Sequence, residues 1–403
     1  MPASPSTARA INDRLALRLM QQEGPLTAGQ LKQLTGLSRP SVADLVERLS
    51  AAGLIAVVGE SGSQRRGPNA RLYGIVADRA HLAALDVRTE GVSVVVSDLL
   101  GTELARASVP ITDDAGTGPA VEQAVALVER VAKEAGAERL HTVGIGAPGL
   151  IDPSTGELRD SSGLPEWHRR LVAALQERLP DARVLVENET NLAALAEQRD
   201  GAAGDRDTFV LLWLGHGTGA AVVLDGALRR GASGGTGEIG FLPVPGTATL
   251  PSATDCEGGF HSLAGAAAIA GLAAEYGLVA EGVPHEPYAA ALVRKAVGAQ
   301  GAAAGAHGES SAARFLDALA DRLAIGAASV VAVLDPGCVV LGGEVGQAGG
   351  SVLAARVAER LVRMSPLPVE VRASVLGGGA VLRGALLTAR DGAQDELFAP
   401  PAR

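Results

Sequence analysis

Short apolar runs alternate with amphipathic stretches between residues 82 and 341 of this 403-residue chain, and glycine-rich turns join many of them. The apolar runs have the length of β-strands and cover residues 82–87, 91–97, 142–146, 184–186, 208–213, 220–224 and 338–341. The amphipathic stretches, such as 119–135 and 166–179, have helical spacing. This alternation predicts an α/β fold. The chain contains 52 glycines, and glycines at strand ends let backbone N–H groups come close to a ligand.

The first 77 residues follow a different pattern, that of three short helices and a hairpin. The first helix, over residues 8–20, is predicted to carry an apolar stripe of Ile11, Leu15, Leu17 and Leu19. A second helix over residues 28–35 follows the N-cap Thr27, with Leu31 and Leu34 directed inward. Gly36 then supplies the tight turn that a helix-turn-helix requires.

The third helix has clear start signals, because Ser38 is a good N-cap and Pro40 falls in the first turn. Its apolar stripe runs from Val42 to Leu49. Two apolar segments follow, and they predict a β-hairpin wing. Three helices and a wing form a winged helix-turn-helix, whose third helix enters the major groove of DNA.

The residues expected to contact DNA lie at the start of the third helix, farther along it, and on the wing. Residues at the helix start reach base edges, and wing arginines meet phosphate or the minor groove. The set comprises Ser38, Arg39, Ser41, Arg48, Arg65, Arg66 and Arg71. The alternative is a small helical module for protein contacts, whose arginines are merely solvated.

The charge distribution favours the DNA-binding interpretation. The whole chain has a net charge of −10, which alone argues against nucleic acid. Residues 1–80, however, hold ten Lys and Arg against six Asp and Glu, a net charge of +4, and the remainder carries −14. A basic head on an acidic body is typical of a DNA-binding module joined to a metabolite-sensing domain.

Composition also predicts a soluble, cytoplasmic protein without a membrane partner. Hydrophobic residues make up 47% of the chain and charged residues 20%, which is enough to bury a core. Cys256 and Cys338 are too few for a disulfide framework. The N-terminus lacks the apolar region of a signal peptide, and apolar runs such as 324–334 are shorter than the ~18 residues of a spanning helix.

The order and spacing of the glycine-rich and acidic clusters in the body resemble those of one known family. The segments VENETNLAALAE, LGHGTGAAVVLDGALRRGASGGTGEIGFLPV and LDPGCVVLGGEVG are similar to motifs of the ROK family (repressor, open reading frame, kinase). That family groups bacterial sugar-responsive repressors with sugar kinases of the actin fold. The resemblance covers nearly the whole chain and, with the N-terminal head, is to the repressor branch.

The resemblance implies an architecture of two parts. Residues 1–77 would form the winged helix-turn-helix, and residues 78–403 a two-lobed, actin-like body that binds an effector and dimerises. The lobe boundary is expected near residues 190–205, and the C-terminal helix is expected to return to the first lobe.

The first phosphate loop departs from the family's D-x-G-G-T pattern, because Arg88 and Thr89 stand at its glycine positions after Asp86. A long side chain at Arg88 should obstruct ATP; the alternative is that Arg88 pairs with a phosphate. The second phosphate loop and the adenosine-side loop of the family pattern keep their glycines. The vestigial nucleotide loops comprise Asp86, Gly215, Gly217, Thr218, Gly219, Gly342 and Gly343. We therefore expect no ATP cofactor.

The catalytic base and the zinc site that the resemblance implies are also altered. Glu189 stands where the family has Asp, and its extra methylene displaces the carboxylate by about an ångström, enough to cost roughly 100-fold in rate. We expect no catalytic residue. For zinc, Phe241 replaces the His, only Cys256 of three cysteines is kept, and Leu263 and Gly265 stand at later positions of the motif. We expect no metal.

A possible sugar-binding set survives. The positions at which family members hydrogen-bond sugar hydroxyls are Pro148, Gly149, Asn188, Glu189 and Glu238. Structural alternatives exist for several of them. Asn188 is also a good N-cap, Glu238 could brace a loop, and Trp167 at the mouth of the cleft could be core packing.

The sequence thus predicts a DNA-binding repressor of carbohydrate-related genes, similar to xylose repressors, with a degenerate sugar-kinase body. A homo-oligomer, dimer or tetramer, would bind a palindromic double-stranded operator, and a sugar effector between the lobes would alter the spacing of the heads. Two alternatives stay open. One is a glucokinase-like sugar kinase with residual activity, and the other is a dimeric regulator that needs no effector.

Overall fold

The computed structural model describes residues 5–61, 70–112, 114–152, 154–159, 164–252, 255–283, 286–302 and 310–399. At the N-terminus, three helices pack against a three-stranded sheet of order β1-β3-β2. The elements are α1 (Pro5–Glu23), β1 (Leu26–Thr27), α2 (Ala28–Thr35), α3 (Arg39–Ala51), β2 (Ile55–Ser61) and β3 (Ala70–Ile75). The predicted winged helix-turn-helix is confirmed, with the tip of its wing outside the described residues.

Local capping explains where α2 and α3 begin. The Thr27 hydroxyl accepts from the backbone N–H of Gln30, and the Gln30 side chain accepts from the Thr27 N–H, which completes a capping box. The Ser38 hydroxyl accepts from the Ser41 N–H at 3.3 Å. Gly36 ends α2 with a φ of 69°, a conformation that glycine adopts without strain.

Two predictions about the buried face of the head are wrong. The inner face of α1 is formed by Ala16, Leu17 and Met20, whereas Ile11 and Leu15 are exposed. In α2, Leu31 is buried as predicted, but Leu34 is exposed. Leu34 lies in the last turn of this eight-residue helix, one turn beyond the residue that packs into the core.

The first lobe is built on a five-stranded sheet of order β6-β5-β4-β7-β8. Strands β4, β7 and β8 are parallel, while β5 and β6 are antiparallel additions. Helices α4 and α5 cover one face, where they bury an aliphatic cluster. The elements are β4 (His81–Arg88), β5 (Gly91–Ser97), β6 (Glu103–Pro110), α4 (Thr117–Glu134), β7 (Leu140–Ala147), α5 (Trp167–Arg178), β8 (Arg183–Asn188) and α6 (Glu189–Asp200).

The second lobe has a five-stranded sheet of order β11-β10-β9-β12-β13, with helices α7 to α11 packed on it. Its elements are β9 (Phe209–Leu214), β10 (Thr218–Leu224), β11 (Ala227–Arg229), α7 (His261–Ala264), α8 (Ala266–Glu275), α9 (Tyr288–Ala302), α10 (Ser311–Leu334), β12 (Cys338–Gly342), α11 (Gly343–Met364) and β13 (Glu370–Ala373). Two lobes of this kind confirm the predicted actin-like α/β body.

In the body, the three strands that apolar runs did not predict, β6, β11 and β13, all lie at sheet edges. In β6 the side chains alternate between exposed and half-buried positions, so no continuous apolar run marks it. Strands β11 and β13 have only three and four residues. Edge strands lack a second neighbour and are often short and polar for that reason.

The last helix, α12 (Ala380–Leu397), connects the cleft to the head. It packs on β4, β7 and α6 in the first lobe. At its far end Asp395 forms an ion pair with Arg14 of α1. One apolar cluster therefore runs from the core of the head through α12 and α6 to the inner faces of both sheets.

Among the helices that the structure describes, none combines the length and apolar character needed to cross a membrane.

Candidate functional site

The parallel strands β4, β7 and β8 bring the predicted site residues to one edge of the first lobe. Asp86 and Arg88 lie at the carboxyl end of β4, and Asn188 ends β8. Pro148 and Gly149 are the first two residues after β7, which ends at Ala147. Carboxyl ends of neighbouring parallel strands share a sheet edge, which is where α/β sheets bind ligands. This edge borders the cleft between the lobes.

Arg88 spans the cleft and binds both lobes. Its Nε donates to Asp86 Oδ2 at 3.0 Å, its Nη1 donates to Glu344 Oε1 at 2.5 Å, and its Nη2 donates to the Gly378 carbonyl at 3.2 Å. Glu344 lies in the first turn of α11. Burial alone would lower the pKa of Arg88, but the carboxylates of Asp86 and Glu344 outweigh burial and raise it. The guanidinium is thus paired with two carboxylates of the chain itself.

A second contact joins the lobes at the same end of the cleft. His216, in the turn between β9 and β10, approaches Glu90 of the first lobe with 3.2 Å between Nε2 and Oε1. Both side chains are exposed. The two lobes are therefore bridged at this end of the cleft by Arg88 and by His216.

Asn188 serves the structure of α6. Its Oδ1 accepts from the Thr190 N–H at 2.8 Å and from the Asn191 N–H at 3.4 Å, which caps the helix. Its Nδ2 donates to the Gly149 carbonyl at 2.9 Å and to Glu189 Oε2 at 3.0 Å. The N-cap alternative is therefore the observed geometry, and the cap also positions Gly149 and Glu189.

Three carboxyl groups lie close enough in the cleft to affect one another. Burial raises the pKa of Glu189 to about 8, and the charges of Asp86 and Glu238 add to that effect. Burial also raises the pKa of Asp86, whose Oδ1 is buried and has no hydrogen-bond partner among the described residues. Glu238 lies at the exposed mouth, where partial desolvation raises its pKa. Its carboxylate caps no helix.

Replacing Glu189 with Gln should flatten the pH dependence of stability. The folded-state pKa of about 8 lies above the ordinary 4.5, so between these values the unfolded chain has released the proton that the folded chain still holds. Wild-type stability therefore falls as pH rises toward 8 and levels off above it. From pH 6 to pH 9 wild type should lose roughly 2–3 kcal/mol of stability that the neutral amide of the variant does not lose, since each pKa unit is worth about 1.4 kcal/mol. Urea unfolding between pH 6 and 9 measures this. Glu103→Gln, at an exposed ion pair on β6, is the control, and parallel profiles for wild type and Glu189→Gln would contradict the assignment.

The predicted DNA-contacting residues occupy different environments. Arg39 and the hydroxyls of Ser38 and Ser41, which lie 2.8 Å apart, are exposed at the start of α3, and Arg71 is exposed on β3. Arg48 instead pairs with Asp13 of α1 at 2.6 Å and with Asp44. Its role in DNA contact stays a prediction. Arg65 and Arg66 lie outside the described residues.

Comparison with known proteins decides the family. The model described as ROK family matches residues 82–391. This chain belongs to the ROK family. A second model, described as MarR family, matches residues 11–67, which overlap α1 to β2 of the head.

Individual relatives include both kinases and regulators. The chain is 30% identical over 230 residues to a glucokinase of Thermotoga maritima, a match to 55% of this chain and 70% of that protein. It is 27% identical over 244 residues to the DNA-binding transcriptional dual regulator NagC of Escherichia coli, a match to 59% of this chain and 58% of that regulator. The chain thus spans less than two thirds of NagC.

Among solved structures, a crystal structure described as a ROK family transcriptional regulator, homolog of the E. coli MLC protein, superposes with a TM-score of 0.75. The superposition covers 97% of this chain and 98% of that one. Sequence identity is 20%, so this likeness concerns the fold.

The loops that the resemblance assigns to nucleotide hold glycines that packing requires. A Cβ on Gly343, whose φ is 74°, would lie 2.5 Å from the Leu214 carbonyl oxygen. A Cβ on Gly215 would lie 2.8 Å from Trp213 Nε1 and 2.9 Å from Glu344 Oε2. These two glycines are explained by close packing without any bound nucleotide, whereas Gly217 has open space around it.

The residues at the zinc-site positions of the ROK family do not fit a tetrahedral metal. Such a site needs four N or S ligands, and Phe241 and Leu263 offer none. Burial raises the pKa of the Cys256 thiol and lowers that of His261. The His261 ring fills the space beside Gly265, where a Cβ would lie 2.7 Å from His261 Cε1. Within the described ranges, no group of three or more His, Cys, Asp or Glu side chains is arranged to hold a metal.

Two aromatic residues near the cleft turn out to belong to the core. Trp167 is buried in the cluster of the first lobe and meets His168 edge-on, with ring centroids 4.3 Å apart. His168 is buried, and burial lowers its pKa to about 4. The pattern of residues did not single out His168, Glu344 or Gly378, because their neighbours in the cleft come from distant parts of the chain.

Proposed function

We propose that this chain is a DNA-binding transcription repressor of carbohydrate-related genes, whose ROK body responds to a sugar or sugar-derived effector without acting as a kinase. The observation that carries the proposal is the joining, in one chain, of a winged helix to a ROK body whose phosphate loop is filled by Arg88. The similarity to NagC supports it.

In this proposal, α3 lies in the major groove with Ser38, Arg39 and Ser41 at the base edges, and Arg71 meets the backbone. Arg65 and Arg66 extend the same basic wing in sequence. Arg48 meets DNA from farther along α3, and its ion pair with Asp13 also fixes α3 against α1. Two heads of a homo-oligomer read a palindromic operator, and the ion pair between Asp395 and Arg14 couples each head to α12.

An electrophoretic mobility shift with DNA from upstream of the chain's own gene and of neighbouring sugar genes tests the proposal. We expect a complex whose affinity falls steeply with salt, since phosphate contacts release counterions. Failure to shift any such fragment at low salt would contradict it.

Replacing Arg39 with Ala should weaken operator binding by about 1–3 kcal/mol and relax sequence preference, since base contacts specify the site. Replacing Arg71 with Ala should weaken binding to all sequences and reduce the salt slope by about 1. Titrations at several salt concentrations measure both. Arg106→Ala, which removes an exposed ion pair on β6 of the first lobe, outside the head, should leave binding unchanged. Equal losses for Arg39→Ala and Arg106→Ala would refute the placement of α3.

A sugar kinase is the second candidate, favoured by the 30% identity to the glucokinase. Two features oppose it. Arg88 fills the phosphate loop, and a Glu189 carboxyl with a pKa of about 8 holds its proton at neutral pH, so it is a poor general base. We propose that the chain uses neither ATP nor zinc. Hexose phosphorylation by ATP that disappears in Glu189→Gln would overturn this.

A further inference from the structure

We infer that Glu197 is the positioning residue about which the two lobes of the body turn. The inference goes beyond the proposed function, because it depends neither on the ligand of the cleft nor on DNA binding. Three observations carry it: the place of Glu197 between the two segments that connect the lobes, the donors that it binds in each segment, and its complete burial.

The chain passes between the lobes at two places. It leaves the first lobe after α6, which ends at Asp200, and residues 201–208 lead to β9. It returns after β13, which ends at Ala373, and residues 374–379 lead to α12. We call these segments the first and the second connection. Because they are the covalent links between the lobes, a rotation of one lobe against the other must change the backbone in both.

Glu197, in the last turn of α6, binds both connections. Its Oε2 accepts from the Ala202 N–H of the first connection at 2.7 Å. Its Oε1 accepts from the Leu376 N–H of the second connection at 3.2 Å and from the Ser374 hydroxyl. The first connection also passes close to this side chain, since a Cβ on Gly201 would lie 2.2 Å from Glu197 Oε2. One side chain therefore joins the two segments that must move when the lobes rotate.

The second lobe holds the same two segments from its own side. Arg372 on β13 donates through Nη1 to the Ala202 carbonyl at 2.6 Å, and both of its terminal nitrogens bind Asp205. The Ser374 N–H donates to the Leu341 carbonyl on β12 at 3.0 Å. Ala202 and Ser374 are thus each bound by both lobes, so the lobes move least against each other at these residues.

Burial separates Glu197 from the contacts that join the lobes across the cleft. Glu197 is 0% exposed, whereas the side chains of Arg88 and His216, which make those contacts, are 33% and 57% exposed. Water can replace the partner of an exposed group, but a buried carboxylate that loses its donors is left without compensation. Opening of the cleft should therefore break the exposed contacts and keep Glu197 bonded.

The head belongs to the side of the pivot that carries α12. This helix packs on β4, β7 and α6 of the first lobe. Near its end the Gln394 side chain donates to the Leu99 carbonyl of the first lobe at 3.0 Å, and Asp395 pairs with Arg14 of the head. Head and first lobe therefore form one unit, and the second lobe turns about Glu197 relative to that unit.

Amide hydrogen exchange on the full chain, without DNA or sugar, tests the pivot. Glu197→Gln keeps the size of the side chain but replaces one acceptor oxygen with an NH2 group, so one connection loses its acceptor. We expect the Ala202 or the Leu376 amide to exchange at least about tenfold faster, because it loses the hydrogen bond that protects it. Amides of the inner strands β4 and β9 should change less.

The distance between the lobes gives a second measurement, which a loss of stability alone would not change in the folded chain. Spin labels on Glu103→Cys in the first lobe and Glu359→Cys in the second, both exposed positions, report this distance by pulsed electron resonance. The free thiol of Cys256 is removed by Cys256→Ser. We expect Glu197→Gln to broaden the distance distribution. Ser93→Ala, which removes a hydroxyl contact between β5 and β6 within the first lobe, should leave it unchanged.

Ser374→Ala keeps the test valid if Glu197→Gln fails to fold, since it removes one donor and leaves the carboxylate bound to the other two. It should speed exchange in the second connection, at Gly377, whose N–H donates to the Ser374 hydroxyl at 3.4 Å, and not at Ala202. The inference is overturned if the connection amides of the folded variants exchange no faster than in wild type. Equal acceleration of connection and strand amides, or an unchanged distance distribution in Glu197→Gln, would overturn it as well.

Discussion

Replacing Arg88 with Ala is expected to destabilise the protein by about 3 kcal/mol, because it leaves Asp86 and Glu344 facing each other without their shared counterion. Asp86 is almost fully buried, and Glu344 is 8% exposed. The loss also removes the bond to the Gly378 carbonyl, so the lobes lose their tightest link at this end of the cleft. Urea unfolding gives the free energy, and X-ray scattering should show a larger radius of gyration.

The deficit of Arg88→Ala should shrink in acid. Burial already raises the folded-state pKa of Asp86 above its ordinary 3.8, and Arg88 opposes that rise. Without Arg88 the folded carboxyl holds its proton to higher pH than the unfolded one does. Stability of the variant therefore falls as pH rises through the folded pKa and recovers toward pH 4.

Arg106→Ala provides the matched control, since it removes an arginine from an exposed ion pair with Glu103 and should cost about 0–1 kcal/mol. A deficit for Arg88→Ala no larger than that of the control, at every pH, would show that Arg88 does not link the lobes.

Replacing Gly384 with Ala should destabilise the body by about 3 kcal/mol or more, because α12 and α6 touch through their backbones at this point. A Cβ on Gly384 would lie 2.0 Å from the Leu192 carbonyl oxygen, and backbone atoms cannot turn aside as a side chain can. The two helices would have to separate. Since α12 leads from Gly378 to the head, we also expect weaker operator binding. Thermal unfolding and a mobility shift measure the two effects.

Gly271→Ala is the control for helix propensity. Gly271 lies in α8 with open space around the position of a Cβ, so alanine should stabilise the helix by about 0.5–1 kcal/mol. If Gly384→Ala lowers the stability and Gly271→Ala raises it, the close crossing of α12 and α6 is the cause of the loss at Gly384. Stabilisation by Gly384→Ala would refute it.

The head was predictable to within a few residues because its helix starts depend on neighbours in sequence. The capping box at Thr27 and the cap at Ser38 act across three residues, so α2 and α3 begin where the residues indicate. The exposure of Leu34 was not predictable in this way, because it depends on how far the rest of the head reaches along α2.

In the body, continuous apolar runs located the inner strands, whose neighbours on both sides bury them, and also the edge strand β8. The edge strands β6, β11 and β13 carry weaker patterns, because part of their surface faces water. Family resemblance pointed to Asp86, Asn188, Glu189 and Glu238 as cleft residues. It did not show that Asn188 uses its side chain to cap α6.

Residue order alone was enough for the winged helix and the α/β class, since each depends on local pattern, and the resemblance to the ROK family showed that Arg88 stands at a glycine position. Folding was needed to bring Arg88 to Glu344, 256 residues away in the chain, and to leave one Asp86 oxygen without a donor. Such contacts form only when the two lobes close on each other. Burial between the lobes then strengthens the attraction between the paired charges. Arg88, which stands at a glycine position of the family, therefore links the two lobes through contacts that only the tertiary structure brings about.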